Sequence, residues 1–74
     1  MRKRNEYVYG FGERLGRVIT EKGLTDREVS RRIGLADTAV CNYINYGRMP
    51  SCLSLKRLAM LLDVSTDYLL GVKL

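Results

Sequence analysis

Histidine and tryptophan are absent from this chain of 74 residues, and proline occurs once. Without histidine, the most common general base and metal ligand is missing. The two cysteines, Cys41 and Cys52, do not form a Cys-x-x-Cys pair. With no histidine to complete a ligand set, no metal or other cofactor is expected. Two thiols suit a reducing compartment better than a disulfide scaffold, which points to the cytoplasm. Both read as small, partly buried apolar residues. No apolar run approaches membrane-spanning length, so no membrane partner is expected. Arg2-Lys3-Arg4 has no apolar segment behind it and reads as a basic tail, with no signal-peptide pattern. The acids are scattered, and no glycine-rich phosphate loop precedes a lysine. Catalysis is therefore not expected, nor is a small-molecule ligand evident.

What the chain does have is positive charge. Thirteen Lys and Arg against eight Asp and Glu give a net charge of +5. The pI is near 9.6. Cations laid along a phosphate backbone release counterions, so this balance favours a polyanionic partner. A hydrophobic content of 46% is that of a folded protein. The length allows one domain with a small core, expected over residues 10–74 behind a basic tail of residues 1–9.

Apolar spacing predicts an all-α chain of five short helices. Phe11, Leu15, Val18 and Ile19 share one face of a first helix over about Gly10 to Lys22. Gly12 and Gly16 weaken it by about 1 kcal/mol each relative to alanine. Gly23 suits a left-handed stop with Leu24 folding back behind it. Thr25 and Glu28 form a capping box that starts a second helix, with Val29 and Ile33 inward. Ser30 is small where two helices approach closely. Gly34 ends this helix with Leu35 behind it. A third helix is expected from about Asp37 to Tyr46, with Val40, Tyr43 and Ile44 inward and Asp37 as a candidate cap. Pro50 pushes Met49 out of the helical region, so residues 47–50 form a loop. Ser51 or Ser54 caps a fourth helix with a stripe of Leu55, Leu58, Ala59 and Leu62. Ser65 caps a last helix to about Leu70, stopped by Gly71.

Helices two and three, joined at a glycine, read as a helix-turn-helix. The side chains on helix three sharpen that reading. Thr38 and Asn42 lie four apart and share a face, with Asp37 beside them. Asn can pair bidentately with adenine, Thr can hydrogen-bond or touch a thymine methyl, and Asp can accept from cytosine N4. Asp37, Thr38 and Asn42 are therefore the candidate base readers. Thr25, Arg27, Asn45, Tyr46, Arg48, Lys56 and Arg57 are the candidate contacts to the DNA backbone. Such contacts set register and carry no sequence information.

These residues resemble the lambda-repressor-like (Cro/CI, XRE-like) helix-turn-helix family over about Phe11 to Gly71. The matching pieces are Phe11-Gly12-Glu13-Arg14-Leu15, Glu21-Lys22-Gly23-Leu24-Thr25, Gly34-Leu35, Arg48-Met49-Pro50-Ser51 and residues 64–71. The resemblance implies a five-helix DNA-binding domain in which the first turns of helix three read bases, at Asp37, Thr38 and Asn42. It also implies a phosphate contact near Asn45. Members commonly have Gln at the position of Asp26, a Ser cap at Ala36, and Gly at Tyr46, where this chain has Gly47 one residue later. Tyr46 is then expected either to lie on the DNA backbone or to shield the core. Many carry a buried Arg–Glu pair where this chain has Ile19 and Ile44. Replacing both partners of a buried pair with apolar groups can be neutral or stabilising. Ile19 and Ile44 are therefore expected to touch.

The expected function is a sequence-specific transcriptional regulator, such as a repressor, bound to double-stranded DNA as a homodimer. Leu53, Met60, Leu61, Val72 and Leu74 fall outside the core stripes, and a self-complementary patch would bury them. The chain has no room for a ligand-sensing domain, so control is expected through concentration, partners or competition for the site. One alternative is a protein-interaction module, such as an antitoxin-like subunit with a partner chain. Another is a non-specific nucleic-acid binder that relies on the basic tail and net charge.

Overall fold

The computed structural model describes residues 10–72. Arg2-Lys3-Arg4 and the rest of the basic tail, together with Leu74, lie outside the described residues. Five helices follow one another, with no strand among the described residues. They are α1 (Phe11–Glu21), α2 (Asp26–Arg32), α3 (Ala39–Asn45), α4 (Cys52–Leu62) and α5 (Thr66–Leu70).

Side-chain oxygens start three of them. Thr25 Oγ1 accepts from the Glu28 N–H at 3.1 Å, and the Thr25 N–H donates to Glu28 Oε1 at 2.9 Å. That is the reciprocal capping box. Ser51, not Ser54, caps α4 by accepting from the Ser54 N–H. Ser65 does the same for α5 with the Tyr68 N–H.

One device ends four of them. The N–H groups of Leu24, Leu35, Val64 and Val72 reach back to the carbonyls of Ile19, Ser30, Ala59 and Asp67, at 2.9–3.1 Å. Each return needs a left-handed residue before it, supplied by Gly23, Gly34, Asp63 and Gly71. Asp63, with φ 57°, is the one without glycine, and aspartate is among the few side chains that visit this region.

The core is built from Phe11, Leu15, Val18 and Ile19 of α1, Val29 of α2 and Ile33 after it, Val40 of α3, Leu58 and Leu62 of α4, and Leu69 of α5. Tyr43, Ile44 and Leu55 are half-buried against it. Helix α1 packs against α3, and at Gly12 the approach is backbone to backbone. A β-carbon on Gly12 would sit 2.7 Å from the Tyr43 carbonyl oxygen and 2.8 Å from that of Ile44. The glycine that weakens α1 as a helix is therefore what lets α3 approach. Phe11 and Tyr43 meet edge to face beside it, with ring centres 6.5 Å apart. Ile44 lies over Gly16, where a β-carbon would make ordinary contact at 3.6 Å. Ile19 and Ile44 both belong to this apolar cluster, Ile19 inside it and Ile44 packed against it.

Arg14 closes the fold. Its Nε donates to the Leu69 carbonyl at 3.1 Å, tying α1 to α5. Its guanidinium fits where Gly10 and Gly71 lack side chains, and a β-carbon on either would collide with it.

Of the residues expected outside the core, Leu53 and Met60 are 55% and 71% exposed, and Val72 is also exposed. Leu61 departs from that expectation in part, because it packs half-buried against its own core.

The two α1 glycines separate packing from propensity. Gly12→Ala should lower stability by about 1–3 kcal/mol, because backbone cannot move aside cheaply. Gly16→Ala should raise stability by up to about 1 kcal/mol, because alanine is the better helix former and the space is there. Urea denaturation of both variants checks the opposite signs.

Candidate nucleic-acid interface

Helices α2 and α3 meet across the turn at Gly34, and a buried hydroxyl joins them. Ser30 is fully buried. Its Oγ donates to the Asp26 carbonyl at 2.9 Å and accepts from the Val40 N–H at 3.0 Å. The first N–H groups of a helix have no partner within it. Here one of them is met from the preceding helix.

This overturns the expected start of the third helix. Asp37 does not cap it, and the helix begins at Ala39 rather than near Asp37. Thr38 stands at the cap position in a helical conformation, and its side chain makes no capping bond. With Val40 served by Ser30, the Asp37 carboxylate is drawn to the arginines of α2. Arg31 Nε donates to Oδ1 at 2.8 Å and Nη2 donates to Oδ2 at 3.0 Å. Arg27 approaches Oδ2 at 3.7 Å. The hydrogen bond from Arg31 is the main reason the Asp37 carboxyl is held below the usual carboxylate range. The same bond raises Arg31 above its ordinary value.

The other candidate base readers remain on the face of α3. Thr38 is exposed and Asn42 half-exposed, one helical turn apart. The exit from α3 folds over Asn42, whose carbonyl accepts from the N–H groups of Tyr46 at 3.0 Å and Arg48 at 3.4 Å. Tyr46 is 73% exposed, so it does not shield the core. Asn45 is exposed and donates from Nδ2 to the Cys41 sulfur at 3.1 Å. Arg48 and Lys56 are exposed.

Besides Asn45, three further candidate backbone contacts have partners within the protein. Thr25 is held in its capping box, and Arg27 lies beside Asp37. Arg57 Nη1 donates to the Ile33 carbonyl at 3.3 Å, next to Gly34, at the C-terminal end of α2. A cation there also complements the helix dipole.

Sequence reasoning missed the Ser30 bridge and the Arg31–Asp37 fork. The only signal for the fork was opposite charge on the two sides of a short turn. Among the described residues, no cluster of His, Cys, Asp or Glu could hold a metal ion. No described helix is long and apolar enough to cross a membrane.

Residues 15–69 match the model of the helix-turn-helix family. The chain belongs to that family. Its arrangement is that of the XRE-like, lambda-repressor-like members, and the match spans all of α2, α3 and α4 and most of α1 and α5. The chain is also similar to the HTH-type transcriptional regulator ImmR of Bacillus subtilis (strain 168). The two are 35% identical over 61 residues, which cover 82% of this chain and 48% of that protein. The chain thus spans about half the length of the curated relative it matches. No solved structure matches it.

Two measurements test the junction. Ser30→Ala should lower stability by about 1–3 kcal/mol, because it leaves the buried Val40 N–H without an acceptor. Thermal unfolding of the variant reads this directly. The Asp37 carboxyl should titrate below ordinary aspartates by NMR and move up in Arg31→Ala. Its folded-state value is the lowered one. Any stability it contributes is present above the unfolded carboxylate value and is lost as pH falls through the folded one.

Proposed function

We propose that this chain is a sequence-specific DNA-binding transcriptional regulator that acts in the cytoplasm. Helix α3 enters the major groove of double-stranded DNA, and Thr38 and Asn42 read base edges, with Asp37 beside them. The observation that carries this reading is the Thr38–Asn42 pair. Both are polar, accessible and on one face of a helix whose other face is buried in the core. Asn42 has the amide geometry that pairs bidentately with adenine. Asn45, Tyr46, Arg48 and Lys56 flank that face and contact phosphates, which sets the register of α3. Thr25, Arg27 and the remaining N–H donors of Arg57 add to the same backbone track. Membership of the helix-turn-helix family and the similarity to a transcriptional regulator support the regulatory role.

Two copies bind as a two-fold dimer, with half-sites about 34 Å apart. Exposed Leu53 and Met60 support this reading, since an apolar patch on a small protein is stable when a second copy covers it. Exposed Val72 belongs to the proposed interface, and Leu61 contributes the part of its surface that its own core leaves open; Leu74, also expected there, lies outside the described residues. The antitoxin-like alternative assigns this patch to a different chain and predicts weak DNA affinity.

Selection of bound sequences from random DNA tests the whole reading. A palindromic motif is the expected result, and a protein that binds all sequences equally would overturn it. On the selected site, Asn42→Ala should cost about 1–3 kcal/mol and relax preference at one base pair. Arg48→Ala should weaken binding to all sequences alike and lower the salt slope by about one.

A further inference from the structure

We infer that Arg31 is a positioning residue for base recognition: it forks onto the Asp37 carboxylate at the entry to α3 and holds it as an acceptor for the exocyclic amine of cytosine. This rests on the reading above, in which α3 enters the major groove.

A bare carboxylate at that position would be repelled by the phosphates on both sides of the groove. The fork removes this objection. Arg31 donates one hydrogen bond to each carboxylate oxygen, at 2.8 and 3.0 Å, and Arg27 stands 3.7 Å away. Two guanidinium groups and one carboxylate leave the cluster with a net positive charge, so it still favours DNA. The carboxylate is also oriented. Two parallel bonds fix its plane, which a single contact would not. An ionised carboxylate has about four acceptor sites. Arg31 occupies one on each oxygen, and the others remain open on a side chain that is 42% exposed.

The chemistry of the cluster selects the base pair. Cytosine presents N4–H₂ as a donor in the major groove with no acceptor beside it on the same base. Adenine presents N6–H₂ next to the N7 acceptor, which a carboxylate would oppose. The guanine paired with cytosine offers O6 and N7, which match the N–H donors of Arg31 that Asp37 does not use. A carboxylate with a guanidinium behind it therefore complements one C·G pair in a single orientation.

The test measures binding to the selected site and to its single-base-pair variants. Wild type is compared with Asp37→Ala, Asp37→Asn, Arg31→Ala, Arg31→Lys, the Asp37→Ala/Arg31→Ala double variant and Asn42→Ala, all confirmed folded by circular dichroism. One C·G pair should be preferred by wild type by about 5- to 150-fold. Asp37→Ala should abolish that preference, and Asp37→Asn should move it toward A·T. Arg31→Ala should reduce preference at the same pair, and Arg31→Lys should not restore it, because an ammonium cannot form the fork. The double variant should lose no more than the larger single loss.

The inference is overturned if Arg31→Lys restores full discrimination. It is equally overturned if Arg31→Ala weakens all sequences alike and lowers the salt slope by about one, which would make Arg31 a plain phosphate contact. Uniform tightening in Asp37→Ala would instead make the carboxylate an electrostatic deterrent and would also overturn it. If Asn42→Ala relaxes its own base pair while the Arg31 and Asp37 variants keep theirs, the fork alone is refuted. If no variant changes any preference, groove reading by α3 falls with it.

Discussion

Ser30 lies fully buried between α2 and α3, and its hydroxyl serves two backbone groups at once, the Asp26 carbonyl and the Val40 N–H. Ser30 and Val40 are both fully buried, so water cannot replace the hydroxyl when α3 moves. Sliding or rotating α3 against α2 would leave a buried donor unmet, and such a group costs more than an ordinary hydrogen bond contributes. The orientation of the Thr38–Asn42 face follows from this constraint. Once Val40 is fixed, Tyr43 and Ile44 come round to α1, and their carbonyls reach the gap left by Gly12. The two sides of α3 are thus held by different means, a hydroxyl bridge on one and the absence of a β-carbon on the other.

The cations of the surface divide by partner. Arg14 serves the Leu69 carbonyl, Arg57 the Ile33 carbonyl, and Arg27 and Arg31 stand at Asp37. Arg48 and Lys56 are exposed near the exit of α3 and the start of α4. The net charge of +5 therefore overstates the charge available to a polyanion at any one place, and its distribution matters more than its sum.

The parts of the fold that were legible in the sequence are those set by neighbours in the chain. The Thr25–Glu28 capping box, the Ser65 cap and the glycine stops at Gly23, Gly34 and Gly71 each involve residues within a turn or two. Hydrophobic spacing likewise marked Phe11, Leu15, Val18 and Ile19 as one face. What could not be read depends on distant residues. The start of α3 is supplied by a serine in another helix, so Asp37 looked like a cap when it was not. Gly12 looked like a propensity penalty because the carbonyls that need it lie on α3. At the site, Thr38 and Asn42 follow from helical spacing, whereas the partner of Asp37 depends on how the turn folds Arg31 back. Asp63 was unreadable for another reason: aspartate tolerates the left-handed region without advertising it as glycine does.

Arg14 has a consequence for chain order. Its guanidinium fills the space beside both Gly10 and Gly71, so the beginning of α1 and the residue that stops α5 lie on either side of a single side-chain head group. The described fold is close to a closed ring. A short flexible linker from Gly71 to Gly10 would span that separation without disturbing a helix. The ring can be cut at Gly23, where the turn faces open space, at the cost of the Leu24 N–H return to Ile19 that stops α1. A circular permutant opened there would begin at the capping box of α2 and end with α1, presenting the same α2–α3 surface from a reordered chain.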